Sequence, residues 1–143
     1  MTVSNILQHK GSDVVSVSAN CSLQEAATIL ATKRIGAIMV LSGDEIEGVL
    51  SERDLVRGIA DGGGDCLKDT VASVMTPSVI TCSPSDTIKT VTNTMSSKRI
   101  RHLPVVEDGK LVGMISIGDV VKAKIAKAEL EAEALKTYIG TVS

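Results

Sequence analysis

From residue 14 to 18 the chain sets Val15 and Val17 against Ser16 and Ser18, the alternation of a half-buried strand. Ser22 then precedes Ala26, Ala27, Ile29 and Leu30, a helical spacing that opens on an N-capping hydroxyl and runs to Gly36. The block 37–41 is apolar without interruption and too short for a helix, so it predicts a buried strand. Ser42-Gly43-Asp44-Glu45 turns the chain, and 46–50 returns it as a hairpin. Ser51 starts a further helix over 52–61. The same succession then recurs: a strand at 79–82, a helix at 86–98, a strand at 102–106, a turn at Glu107-Asp108-Gly109-Lys110, a strand at 111–116 and a helix from Ile117. Pro84 stands at a helix approach, and Pro104, which cannot donate to a ladder, implies an edge or irregular strand.

The recurrence is a repeat in register. Lys33-Arg34-Ile35 returns as Lys98-Arg99-Ile100, Gly48 as Gly113, Ser51 as Ser116 and Asp54 as Asp119, all at one offset and with no gap between Val14 and Val56. Conservative pairs fill the intervals, among them Leu23 with Ile88, Ile38 with Leu103 and Leu50 with Ile115. The expected fold is therefore α/β, two strand-helix-strand-strand-helix units paired by a pseudo-two-fold axis that buries the face each small unit leaves open. The first repeat is assigned to 1–61, a Gly-rich hinge to 62–67, the second repeat to 68–126 and a helical extension to 127–143. Asp61-Gly62-Gly63-Gly64-Asp65 predicts a flexible joint, and 67–75 a helix that ends before Pro77. In the last helix Val121, Ile125, Ala128, Ala132, Leu135 and Ile139 form a heptad-like stripe without a counterpart in the first repeat. Two readings of it stand side by side: a surface helix lying on its own unit, and a helix used in dimerisation.

Composition sharpens this picture. Hydrophobic residues make up 43% of the chain, yet there is no Phe, no Trp and one Tyr, so the core is aliphatic. With 15 Lys and Arg against 17 Asp and Glu, and no aromatic platforms, nucleic acid is not an expected partner. Cys21, Cys66 and Cys82 are odd in number and lack Cys-x-x-Cys spacing, which points to reduced, mostly buried thiols and away from disulfides or zinc. The N-terminus carries no basic-then-apolar leader and no apolar run is long enough to cross a bilayer, so a cytoplasmic location is expected, with no membrane partner. Phosphate-loop, nucleophile-elbow and metal-spaced motifs are missing, and an enzyme is not expected.

Two copies of this succession, closing with Gly48-Val49-Leu50-Ser51-Glu52-Arg53-Asp54 and Gly113-Met114-Ile115-Ser116-Ile117-Gly118-Asp119, resemble a tandem pair of cystathionine-β-synthase (CBS) domains in a stand-alone protein of bacterial type. Val74-Met75-Thr76-Pro77 and Arg101-His102-Leu103-Pro104-Val105-Val106 add to the likeness, which runs from about Ile6 to Ala126. The resemblance implies a regulatory module whose cleft binds an adenosine nucleotide (AMP, ADP, ATP, NAD or at times S-adenosylmethionine), assembles as a homodimer and acts on another protein.

Within that frame each motif has a chemical reading. A carboxylate accepts both vicinal hydroxyls of a ribose, and the free N–H groups of a helix start receive phosphate oxygens. Asp54 and Asp119 are thus the expected ribose ligands, with Ser51 and Ser116 beside them; the same tetrapeptides also read as capping boxes. Arg34 and Arg99, where relatives carry a phosphate-binding cation, are joined by Arg53 and by Arg101 and His102, which replace Gly36 and Ala37 of the first copy and make the clefts unequal. Arg57 is a further cation for the same pocket. Thr81 and Ser83 are expected to touch the ligand after the first strand of the second copy. Adenine is expected between aliphatic side chains such as Val15, Val17, Ile38, Ile80 and Leu103. Against the sensor stands a second expectation, a purely structural dimerisation module with empty clefts.

Overall fold

The computed structural model describes residues 1–142; Ser143, the end of the expected extension, lies outside the described residues. The first copy consists of β1 (Ser16–Val17), α2 (Leu23–Lys33), β2 (Ala37–Ser42), β3 (Glu45–Ser51) and α3 (Glu52–Gly62), preceded by α1 (Val3–Lys10). The second consists of α4 (Ile88–Lys98), β4 (His102–Glu107), β5 (Lys110–Ser116) and α5 (Ile117–Val142). β1 runs parallel to β2, and β2 and β4 pair antiparallel with β3 and β5, each hairpin carrying one bulge, after Val40 and after Val105. Ser22 caps α2 by accepting from Glu25 N–H, and Thr87 caps α4 by accepting from Thr90 N–H. No helix among the described residues is long and apolar enough to cross a membrane.

Each copy completes its core with a segment that lies beside the other copy in sequence. Leu23, Leu30, Ile38, Val40 and Leu50 pack with Cys66 and Val71 of the connecting segment; Ile88, Val91, Leu103, Val105 and Ile115 pack with Val3 and Ile6 of α1. Backbone bonds hold both exchanges: Val71 N–H donates to Cys21 C=O at 2.8 Å, and Val3 N–H to Asp86 C=O at 2.9 Å. These crossings explain the glycine of the repeated motif. A Cβ on Gly48 would lie 2.8 Å from Thr76 O, and one on Gly113 would lie 2.7 Å from Leu7 Cδ2.

Four expectations are corrected. The joint at 61–65 is hydrogen-bonded structure: α3 continues to Gly62, and Gly63, at φ +70°, donates to Ile59 C=O and closes the helix. The helix at 67–75 is instead two short 3₁₀ turns, Gly64–Lys68 and Val71–Ser73, because Thr70 must be extended to bridge Ser22 and drop Val71 into the first core. The strand at 79–82 shrinks to one bridge, Cys82 with Val105. In the first copy Met39 N–H donates to Val15 C=O at 3.1 Å; its counterpart is Pro104, which has no N–H, so that rung is lost. Finally, α4 starts at Ile88 rather than at residue 86, because the Asp86 carboxylate accepts from Ser83 N–H at 2.8 Å and Thr87 takes the cap.

Helix α5 lies on its unit through Val120 and Ala123, not through the stripe. Helix α5 thus lies on its own unit at its start, while Val121, Ile125, Leu135 and Ile139 of the stripe are exposed. Helix α1 was not foreseen: its sequence is short and weakly patterned, and its apolar face matches a core built mostly from residues 82–120.

Candidate functional site

The start of a helix after β3 or β5 is a junction where a Ser N-cap meets an Asp at the third helical position. Both copies realise the reciprocal cap. Asp54 N–H donates to Ser51 Oγ at 3.2 Å while Ser51 N–H donates to Asp54 Oδ2 at 3.0 Å; Ser116 and Asp119 repeat this at 3.2 and 2.8 Å. Capping draws on Oδ2 in each case, and Oδ1 lies outside the cap.

The pseudo-symmetric pairing crosses the copies. Asp54 and Ser51 share a cleft of about 210 Å³ with Arg99, Arg101 and His102 of the second copy, while Asp119 and Ser116 share one of about 320 Å³ with Arg34 of the first. Arg53 and Glu52 line the first cleft from the N-terminus of α3, and Arg53 Nη1 donates to Arg99 C=O at 3.4 Å, tying the two copies together. The first cleft thus holds three guanidiniums against two carboxylates. In the second, Lys10 and Arg34 are balanced by Asp13 and Asp119.

Arg34 and Arg99 end α2 and α4 in the left-handed region, at φ +54° and +56°. Glycine is the residue that fits such a C-cap without strain, and a side chain there costs about 1 kcal/mol. Both copies nevertheless place a guanidinium at this point, each at the edge of a cleft.

Asp54 is 6% exposed, and Thr76 Oγ1 donates to its Oδ1 at 3.1 Å, with Arg57 Nη1 at 3.8 Å. The environment of Asp119 differs. Lys10 Nζ lies 2.6 Å from its Oδ2 and also donates to Met114 C=O at 2.7 Å. Burial would raise the Asp119 carboxyl, but the Lys10 ammonium and the Ser116 N–H outweigh it and hold it below its ordinary value. His102 lines both clefts, and its ring lies so close to Gly36 that a Cβ there would be 2.9 Å from Cε1. Burial lowers its pKa, more than the Glu52 carboxylate raises it, so the ring is neutral at neutral pH.

The apolar walls differ from expectation. Val49, Val79, Ile80, Ile100 and Pro104 line the first cleft and Val15 the second, whereas Ile38 and Leu103 are fully buried in the cores and Val17 packs against one. Neither Thr81 nor Ser83 is brought to a cleft: Thr81 is exposed, and Ser83 spends its N–H on Asp86 and pairs its hydroxyl with Ser85. With the first strand of the second copy reduced to one bridge, the cleft is met earlier, at Ser78–Ile80. Sequence reasoning also missed Thr76 and Lys10. Thr76 was visible inside Val74-Met75-Thr76-Pro77 but had no chemistry until it met Asp54; Lys10 lies in a helix that the repeat pattern does not announce.

A family model of the CBS domain matches the chain twice, over residues 3–61 and 71–126. The CBS-domain-containing protein ATU1752 from Agrobacterium tumefaciens is 41% identical and superposes with a TM-score of 0.85, covering 87% of this chain and 99% of that one. The CBS domain pair of protein MJ0100, solved with 5′-methylthioadenosine and S-adenosyl-L-methionine, is 25% identical with a TM-score of 0.79 and covers 89% and 98%. The CBS domain protein PAE2072 from Pyrobaculum aerophilum, complexed with AMP, is 29% identical with a TM-score of 0.74 and covers 83% and 89%.

Proposed function

The chain belongs to the CBS domain family, and from that premise we propose that it is a cytoplasmic regulatory module that takes an adenosine nucleotide (AMP, ADP, ATP or NAD) between its two copies and modulates a partner protein. The observation that carries this reading is the first cleft itself, where a helix-capping carboxylate with one oxygen outside the cap shares an aliphatic-walled slot with Arg53 of its own helix and Arg99 and Arg101 of the other copy. The ribose diol donates to Asp54, displacing the Thr76 hydroxyl, with Ser51 beside it. Phosphate oxygens meet Arg99, Arg101 and Arg53 and the positive end of α3, and His102 adds a neutral donor. Adenine lies between Val49, Ile80 and Ile100 and is read by backbone groups, because no aromatic ring is there to stack on.

AMP and S-adenosyl-L-methionine in related pairs support an adenosine ligand. Since the cleft is assembled from both copies, a ligand that bridges them biases their relative angle by its differential affinity for the two arrangements. Arg53 and Arg99, already joined across the copies, are the contact through which phosphate would act.

Titration calorimetry with AMP tests the reading: heat of binding is expected for the native chain and none for Asp54→Ala. At about a hundred times Kd, AMP should stabilise the native chain by about 2.7 kcal/mol in thermal melts. Absence of heat and of any shift with AMP, ATP, NAD and S-adenosylmethionine would leave the structural dimerisation module as the better account.

A further inference from the structure

The two Ser-x-x-Asp motifs are alike in sequence, but their carboxylates meet different partners: a neutral hydroxyl on Asp54 and an ammonium on Asp119 Oδ2. We infer that Lys10 is a built-in latch that shuts the second cleft to ribose, so that one chain binds one nucleotide, in the Asp54 cleft. The inference rests on the nucleotide reading above.

Lys10 stands in the last turn of α1, and α1 is anchored in the second core by Val3 and Ile6 and closed by Gly11 N–H donating to Leu7 C=O at 2.8 Å. Its ammonium is therefore delivered to one place, where it has two acceptors, Asp119 Oδ2 at 2.6 Å and Met114 O at 2.7 Å. The repeat offset aligns Lys10 and Gly11 with Met75 and Thr76. The first copy thus has a thioether where the second has a cation, and a hydroxyl follows it to rest on Asp54.

A hydroxyl on a carboxylate is exchanged for a ribose hydroxyl of the same strength. A charge-assisted bond from an ammonium is about twice as strong, so a ribose diol, which takes both carboxylate oxygens, does not displace it from Asp119 Oδ2. Displacement would also cut the second bond, to Met114. The surrounding charge adds to this: Asp13 stands in the second cleft where the first has Ser78, and Gly36 where the first has Arg101.

Calorimetric stoichiometry with AMP decides the matter. The native chain is expected to bind one AMP, Lys10→Met to bind two, and the double variant K10M/D54A to bind one through the opened second cleft. Lys10→Gln, with melting and circular dichroism as folding controls, carries the same expectation if K10M folds poorly. Two AMP per native chain, or no gain in folded K10M and K10Q, overturns the latch. If the native chain binds none while K10M binds one, the latch stands and the Asp54 cleft is rejected as the nucleotide site.

Discussion

His102 shows how one side chain acquires a role from its surroundings. It sits between the two clefts, packed on Gly36, with Glu52, Lys10, Asp119 and Arg101 around it, and burial holds its pKa below the ordinary 6.5. The unfolded chain therefore takes up a proton that the folded chain refuses as pH drops below about 6.5. Stability contributed by the neutral ring is whole above that value and declines below it. Asp119, also lowered, titrates far below: its contribution is present above 3.8 and is lost as pH falls through the folded value. Between about pH 7.5 and 5, melting temperature should fall with acid, and His102→Gln should flatten most of that slope; an unchanged slope would show that the ring carries no such linkage. At this scale the residue types of the site were legible, since Ser-x-x-Asp and the basic C-caps announce themselves. Their partners were not. Which arginine faces which aspartate depends on chain crossing, and Thr76 and Lys10 gain meaning only from a carboxylate distant in sequence.

Among the elements, the hairpins and the four repeat helices follow from local pattern, because capping hydroxyls, alternation and turn residues act within a few positions. The larger departures occur where a distant segment intervenes. Pro104 removes a rung and with it the first strand of the second copy, so the cleft wall becomes an irregular stretch at 78–80. The connecting segment gives up helical regularity to seat Cys66 and Val71 in the first core. Helix α1 precedes the first copy but is buried in the second, and this exchange has a measurable consequence. Ile6→Ala should cost about 2–5 kcal/mol, as buried Ile to Ala changes do. In hydrogen exchange the amides of α4 should lose protection and those of α2 should keep it. Equal loss in both helices would mean that the two cores unfold as one.

For the whole molecule, the two cores leave apolar surface uncovered on α3 and α5. Val56, Ile59, Val121 and Ile125 are 65%, 40%, 48% and 53% exposed. An aliphatic surface of this kind on both copies fits a homodimer in which helices of one chain cover those of another, and the stripe continues along α5 through Leu135 and Ile139. Light scattering at micromolar concentration should give a dimer for the native chain and a monomer for V121E/I125E. A monomeric native chain would remove the dimer from the account.

By itself the sequence determined the repeat, the order of elements, the aliphatic core and the residue types available for a nucleotide, because periodicity, capping and composition are local quantities. Tertiary structure alone decided that α1 and the connecting segment exchange cores, that Asp54 looks toward Arg99 while Asp119 is held by Lys10, and that two similar motifs face different surroundings. The physical reason is range. A cap needs three residues in a row, whereas a cleft charge balance or an ion pair between residues 10 and 119 needs the whole chain in place.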